Sequence, residues 1–123
     1  MDKFYGYSKF FITTIGILGM LSKREILLYI YFSIKCDLST NELRLNRSEK
    51  DKAARAVGIS PNSINNCLSK FCKKGLMLNL GGGTFFLNPN YSNRSKPAHL
   101  ESLKRRYLDK KSTIKGNKTI HLV

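Results

Sequence analysis

Residues 53–80, AARAVGISPNSINNCLSKFCKKGLMLNL, decide the fold. The run Ala54-Arg55-Ala56-Val57 ends one helix, because Gly58 supplies the left-handed backbone that stops it. Ile59 plugs the turn. Ser60 is a good N-cap and Pro61 suits the first helical position, so a second helix opens there and runs to Gly75. Along it Ile64, Leu68 and Phe71 recur at helical spacing, flanked by Cys67 and Cys72, and form one apolar stripe. An apolar strand follows at once, from Leu76.

Upstream, Ser22 and Glu25 have the spacing of a capping box, opening a helix over Lys23 to about Lys35. Ile26, Leu27, Tyr29, Ile30, Phe32 and Ile34 make that helix apolar nearly all round, so it is expected to be the buried central one. Before it, Phe10 to Leu21 reads as a strand in its first half and is ambiguous between strand and helical turn in its second. Cys36 to Asn41 is a polar connection, and Glu42 to Asn46 alternates as a short half-buried strand. Ser48 with Asp51 is expected to cap the next helix, whose small Ala53, Ala54 and Ala56 permit a close crossing.

Downstream, Leu76 to Leu80 and Thr84 to Leu87 flank Gly81-Gly82-Gly83, a hairpin that Asn88-Pro89-Asn90 ends. From about Tyr91 basic residues dominate. Pro97 opens a short helix with Leu100, Leu103 and Tyr107 on one face, and a frayed basic tail is expected beyond Lys110. The expected fold is therefore α+β, a winged helix-turn-helix with about three core helices, a small antiparallel β-wing and a basic C-terminal extension. Residues 1–9 form a lead, 10–91 the winged-helix domain and 92–123 the tail.

The 123 residues carry 22 Lys and Arg against 8 Asp and Glu, a formal charge of +14. Such an excess favours polyanions, with nucleic acid ahead of an anionic membrane surface. Phe10 to Leu21 is too short to span a bilayer, which needs about 20 residues. Ser22-Lys23-Arg24-Glu25 follows it where a secretory cleavage site would lie. Cys36, Cys67 and Cys72 are an odd set in a chain without a secretory signature, read as buried free thiols in a reducing cytoplasm. His99 and His121 are the only histidines, so neither a zinc site nor a catalytic constellation is expected. Gly81-Gly82-Gly83 lacks the Lys-Ser/Thr of a phosphate loop and precedes a strand. The expectation is a protein that is not an enzyme and has no cofactor, no metal and no membrane partner.

The chemistry lies on the polar side of the second helix. An Asn amide both donates and accepts, matching adenine N6 and N7 in the major groove, and a Ser hydroxyl serves several bases. Asn62, Ser63, Asn65, Asn66 and Ser69 are the candidates for base readout, although Ser63 also suits packing against the preceding helix. Arg44, Arg47, Lys50, Lys52, Lys70, Lys73, Lys74, Arg94, Lys96, Lys104, Arg105 and Arg106 are the candidates for phosphate contact. Each alone is more often a solvated charge; together they exceed what solubility needs.

Residues 20–91 resemble the winged-helix replication initiators of small plasmids, the RepL type. The matching pieces are Leu21-Ser22-Lys23-Arg24-Glu25-Ile26-Leu27-Leu28-Tyr29-Ile30, the turn Ala54…Gly58-Ile59-Ser60, and Lys73-Lys74-Gly75-Leu76. The hairpin with its Asn-Pro exit, Gly81 to Asn90, is the most family-like. At Gly82 the chain departs from the pattern, which usually carries a basic residue there. The resemblance implies an initiator that binds double-stranded DNA, marks a plasmid origin and recruits host replication proteins. A transcriptional regulator on the same scaffold, a copy-number or phage repressor, would use the same groove contacts. A homodimer would need a pairing element, for which the N-terminal segment and the tail helix are candidates.

Overall fold

Ser22 opens the first helix through a reciprocal pair of bonds. Its backbone N donates to Glu25 Oε1 at 2.7 Å, and Glu25 N donates to Ser22 Oγ at 3.2 Å. In this computed structural model, which describes residues 16–37, 39–92 and 97–122, that helix is α1, Lys23–Lys35. Before it, residues 16–18 are helical and close in a turn through Leu21 N to Leu18 O at 3.0 Å. The ambiguous second half of the leading apolar run is thus helical. Its first half lies outside the described residues, as does the lead at 1–9.

Leu28, Tyr29 and Phe32 of α1 are buried, whereas Leu27 is 40% exposed, Ile30 45% and Ile34 60%. The expectation of burial all round is corrected. The described elements pack on one side of α1, so a helix apolar on every side still buries only one of them.

Asn41 leads into the first strand, β1 (Glu42–Arg44), with a positive φ of 57°. Its buried amide donates to Leu87 O at 2.7 Å and to Ser92 O at 2.8 Å, tying the strand's start to the hairpin's exit. The next helix, α2 (Arg47–Val57), is capped by Asn46, whose Oδ1 accepts from Glu49 N at 2.7 Å. This corrects the expected Ser48–Asp51 cap. Leu45 N donates to Gly83 O at 2.8 Å, which holds the chain extended up to Asn46 and makes Asn46 the last non-helical residue.

Gly58 ends α2 at φ 75°, as expected. A second constraint acts there. Arg24 Nη1 donates to Val57 O at 2.6 Å, and a Cβ on Gly58 would lie 2.7 Å from that nitrogen. The following helix, α3 (Pro61–Lys73), has Ser60 at its N-cap, but the serine hydroxyl makes no capping bond and pairs with Ser63 Oγ at 2.9 Å. Ile64, Leu68 and Phe71 are buried as their spacing requires, and Phe71 meets Tyr29 edge-to-face at 5.7 Å. Ala53 and Ala54 are fully buried, consistent with the contact between α2 and α3.

The hairpin strands are β2 (Met77–Gly81) and β3 (Thr84–Leu87). The sheet has order β1-β3-β2 and is antiparallel throughout, with Leu43 opposite Phe85 and Leu78 opposite Phe86. At Gly83, φ is 81° and an added Cβ would lie 2.7 Å from Leu45 O, so the turn needs glycine there twice over.

The C-terminal helix α4 is one element of 26 residues, Pro97–Leu122, neither short nor frayed at Lys110. Leu103 and Tyr107 are buried, and the Tyr107 ring meets Phe86 edge-to-face at 5.2 Å. That anchorage fixes the first half of the helix against the sheet, and Leu108, Lys110 and Lys111, all good helix formers, carry it onward. The architecture is α+β, helices around a small antiparallel sheet. Among the described residues no helix is long and apolar enough to cross a membrane.

Candidate nucleic-acid interface

α3 presents two chemically opposite sides. Ile64, Leu68 and Phe71 face the core, while Asn62, Asn65, Asn66 and Ser69 are all exposed. The structure therefore brings these readout candidates together on one outer surface. Ser63 stands apart: it is half-buried, with its hydroxyl paired to Ser60 at the turn.

The cations divide into engaged and open groups. Lys70 forms an ion pair with Glu25 at 3.0 Å, joining α3 to α1. The Ser22 backbone N–H first, and the Lys70 ammonium with it, hold the Glu25 carboxyl below its ordinary range. Arg106 pairs with Glu42 at 3.3 Å and lies over the Phe86 ring at 5.6 Å, which binds α4 to the sheet. Lys52 sits 3.7 Å from Glu49 on the exposed side of α2. Lys50 Nζ donates to Asn65 Oδ1 at 2.9 Å. Arg44, Arg47, Lys73, Lys74 and Arg105 are exposed and Lys104 is half-buried. Arg94 and Lys96 lie outside the described residues.

Between α3, the hairpin and α4 lies an open cleft of about 910 Å³. Leu68, Met77 and Phe85 form its floor, and Asn65, Ser69 and Lys73 stand on its rim. Ile114 of α4 reaches the same cleft, so the second half of the C-terminal helix borders the polar face of α3. Lys110 and Lys111, exposed on that half, were not singled out as site residues from sequence. Their helical placement depends on the distant anchorage of α4 to the sheet. Arg24 was also missed, because its bond to Val57 O links residues far apart in the chain.

Burial shifts three ionisable groups away from their ordinary range. Burial, with Glu25 nearby, pushes the Cys67 thiol up and away from thiolate reactivity. Burial likewise pushes the phenols of Tyr29 and Tyr107 up, keeping both neutral. No disulfide joins Cys36, Cys67 or Cys72. Among the described residues no group of three or more His, Cys, Asp and Glu side chains gathers as a metal site would need.

No family model, no curated protein and no solved structure matches this chain. The residues themselves then carry the chemistry of this surface. What they offer is an exposed helix face of amides and a hydroxyl, open cations around it, and a hairpin alongside. Such a surface can donate to and accept from a rigid polar ligand while attracting negative charge.

Proposed function

We propose that this chain is a winged-helix protein that binds double-stranded DNA in a sequence-specific manner, with α3 lying in the major groove. The observation that carries the reading is the outer face of α3, where Asn62, Asn65, Asn66 and Ser69 are exposed together opposite the buried Ile64, Leu68 and Phe71. A major groove about 12 Å wide accepts one helix, and amides match base edges there. In this arrangement α2, the Gly58 turn and α3 form the helix-turn-helix, and β2–β3 forms the wing. Arg44, Arg47, Lys73, Lys74 and Arg105 add affinity through phosphates without selecting sequence.

The role assigned to that binding is initiation of plasmid replication in the cytoplasm: marking an origin and recruiting host replication proteins. It rests on the family-like pieces Leu21 to Ile30 and Gly81 to Asn90. The test has two stages. Selection from randomised duplexes should enrich one sequence; uniform recovery overturns the readout. A small circular DNA carrying this gene and its flanking sequence should then replicate in a permissive host. Enrichment without replication in any host overturns the initiator role and favours a transcriptional regulator.

A further inference from the structure

The exposed asparagines of α3 are not equivalent. The side-chain oxygen of Asn65 is held by Lys50, whose ammonium donates to Oδ1 at 2.9 Å. Both residues stand on well-fixed backbone: Lys50 on α2 and Asn65 on α3, two helices whose crossing is set by fully buried Ala53, Ala54 and Ile64. An ammonium donates and cannot accept, so the contact decides which end of the amide turns towards Lys50. Oδ1 faces the cation, and Nδ2 is left for a ligand. No described hydrogen bond holds the amides of Asn62 and Asn66 in this way, and both are exposed.

This asymmetry has a consequence for base selection. Bidentate recognition of adenine needs the amide oxygen to accept from N6 while the nitrogen donates to N7. At Asn65 one lone pair of Oδ1 is occupied, and an approaching amino group meets a positive charge beside it. Nδ2 keeps two protons for acceptors. Guanine offers two acceptors together, N7 and O6, on its major-groove edge. We infer that Lys50 is a positioning residue that makes Asn65 a donor-only reader, so that Asn65 selects guanine where Asn62 and Asn66 select adenine. This assignment rests on the DNA-binding reading above and adds a base to it.

The experiment is selection from randomised duplexes by the full chain, followed by affinity measurement on duplexes differing at single positions. Four proteins are compared: wild type, Asn65→Ala, Lys50→Met and Lys50→Arg. All three substitutions are at solvent-accessible positions outside the apolar core, and thermal melting confirms that each variant folds. The position whose preference vanishes in Asn65→Ala should favour guanine in the wild type. Lys50→Met, which keeps length and removes the donor, should move that position towards adenine by about tenfold in relative affinity. Lys50→Arg, which keeps a donor, should retain guanine. A Lys50→Met protein that loses affinity equally on all sequences and still favours guanine overturns the assignment, since Lys50 would then be a phosphate contact only. A wild-type adenine preference at that position, or no position changed by Asn65→Ala, overturns it too. These outcomes leave DNA binding standing. A wild-type selection with no enriched sequence overturns the DNA readout and this assignment together.

Discussion

α3 and α4 are both basic helices in contact with β2, yet they use their charge differently. On α3, Lys70 is drawn to Glu25, and the polar face otherwise stays open through Asn62, Asn66, Ser69 and Lys73. On α4 the first half is absorbed into the fold. Leu103 and Tyr107 are buried, and Arg106 is fixed between Glu42 and Phe86. Its second half carries Lys110 and Lys111 into solvent beside the cleft that α3 also borders. The count of 22 Lys and Arg therefore overstates the cations a polyanion can meet. Lys70 and Arg106, counted from sequence as phosphate contacts, are engaged within the protein, whereas Lys110 and Lys111 are open.

The sharpest way to break this contrast is at the anchorage of α4. Leu103→Ala should cost about 2–5 kcal/mol in chemical denaturation, because Leu103 is fully buried. A cost below about 0.5 kcal/mol would mean that α4 is not part of the core.

A smaller effect is expected at the cap of α2. Asn46→Ala should lose about 1 kcal/mol, and Ser48→Ala should be nearly silent, since Asn46 receives the Glu49 N–H. Equal losses would restore Ser48 as the cap.

Smaller still is the ion pair that engages Lys70, worth about 1 kcal/mol or less given its partial exposure. Folding holds the Glu25 carboxyl below its ordinary value of 4.5, so the contribution is complete above that pH. It is lost as pH falls through the lower folded value. Lys70→Met should therefore reduce stability at neutral pH and leave a shallower acid limb. An unchanged acid limb would show that the Ser22 N–H alone holds the Glu25 carboxyl down and that the pair contributes nothing.

The least effect on stability, and a distinct one on binding, is expected from removing residues 110–123. Truncation before that point would cut into the buried Leu103 and Tyr107. Stability should stay within about 0.5 kcal/mol. The slope of log K against log salt should flatten by roughly 0.9 per lost phosphate contact. An unchanged slope would place the second half of α4 off the DNA.

Local chemistry made much of this molecule legible from sequence. The Ser22–Glu25 box, the Gly58 stop and the Gly81-Gly82-Gly83 turn each act within a few residues, so their effects are written side by side. The stripe Ile64, Leu68, Phe71 sets which side of α3 faces outward through spacing within one helix. The misreadings arose where distant residues decide. Asn46 caps α2 because Leu45 pairs with Gly83 across the domain. α4 persists because Tyr107 meets Phe86. α1 exposes Leu27 and Ile30 because its described neighbours lie on one side, which periodicity cannot register. The Lys50–Asn65 bond joins two helices and has no local signature at all.

Under the proposed function the outer face of α3 reads bases while the open cations supply affinity. The most direct test is the ratio of affinities for the selected duplex and for a scrambled duplex, in wild type and in Asn66→Ala. Loss of the amide should cost about 1–3 kcal/mol on the selected sequence and almost nothing on the scrambled one, so the ratio collapses towards one. Equal losses on both duplexes, with the ratio unchanged, would contradict the account.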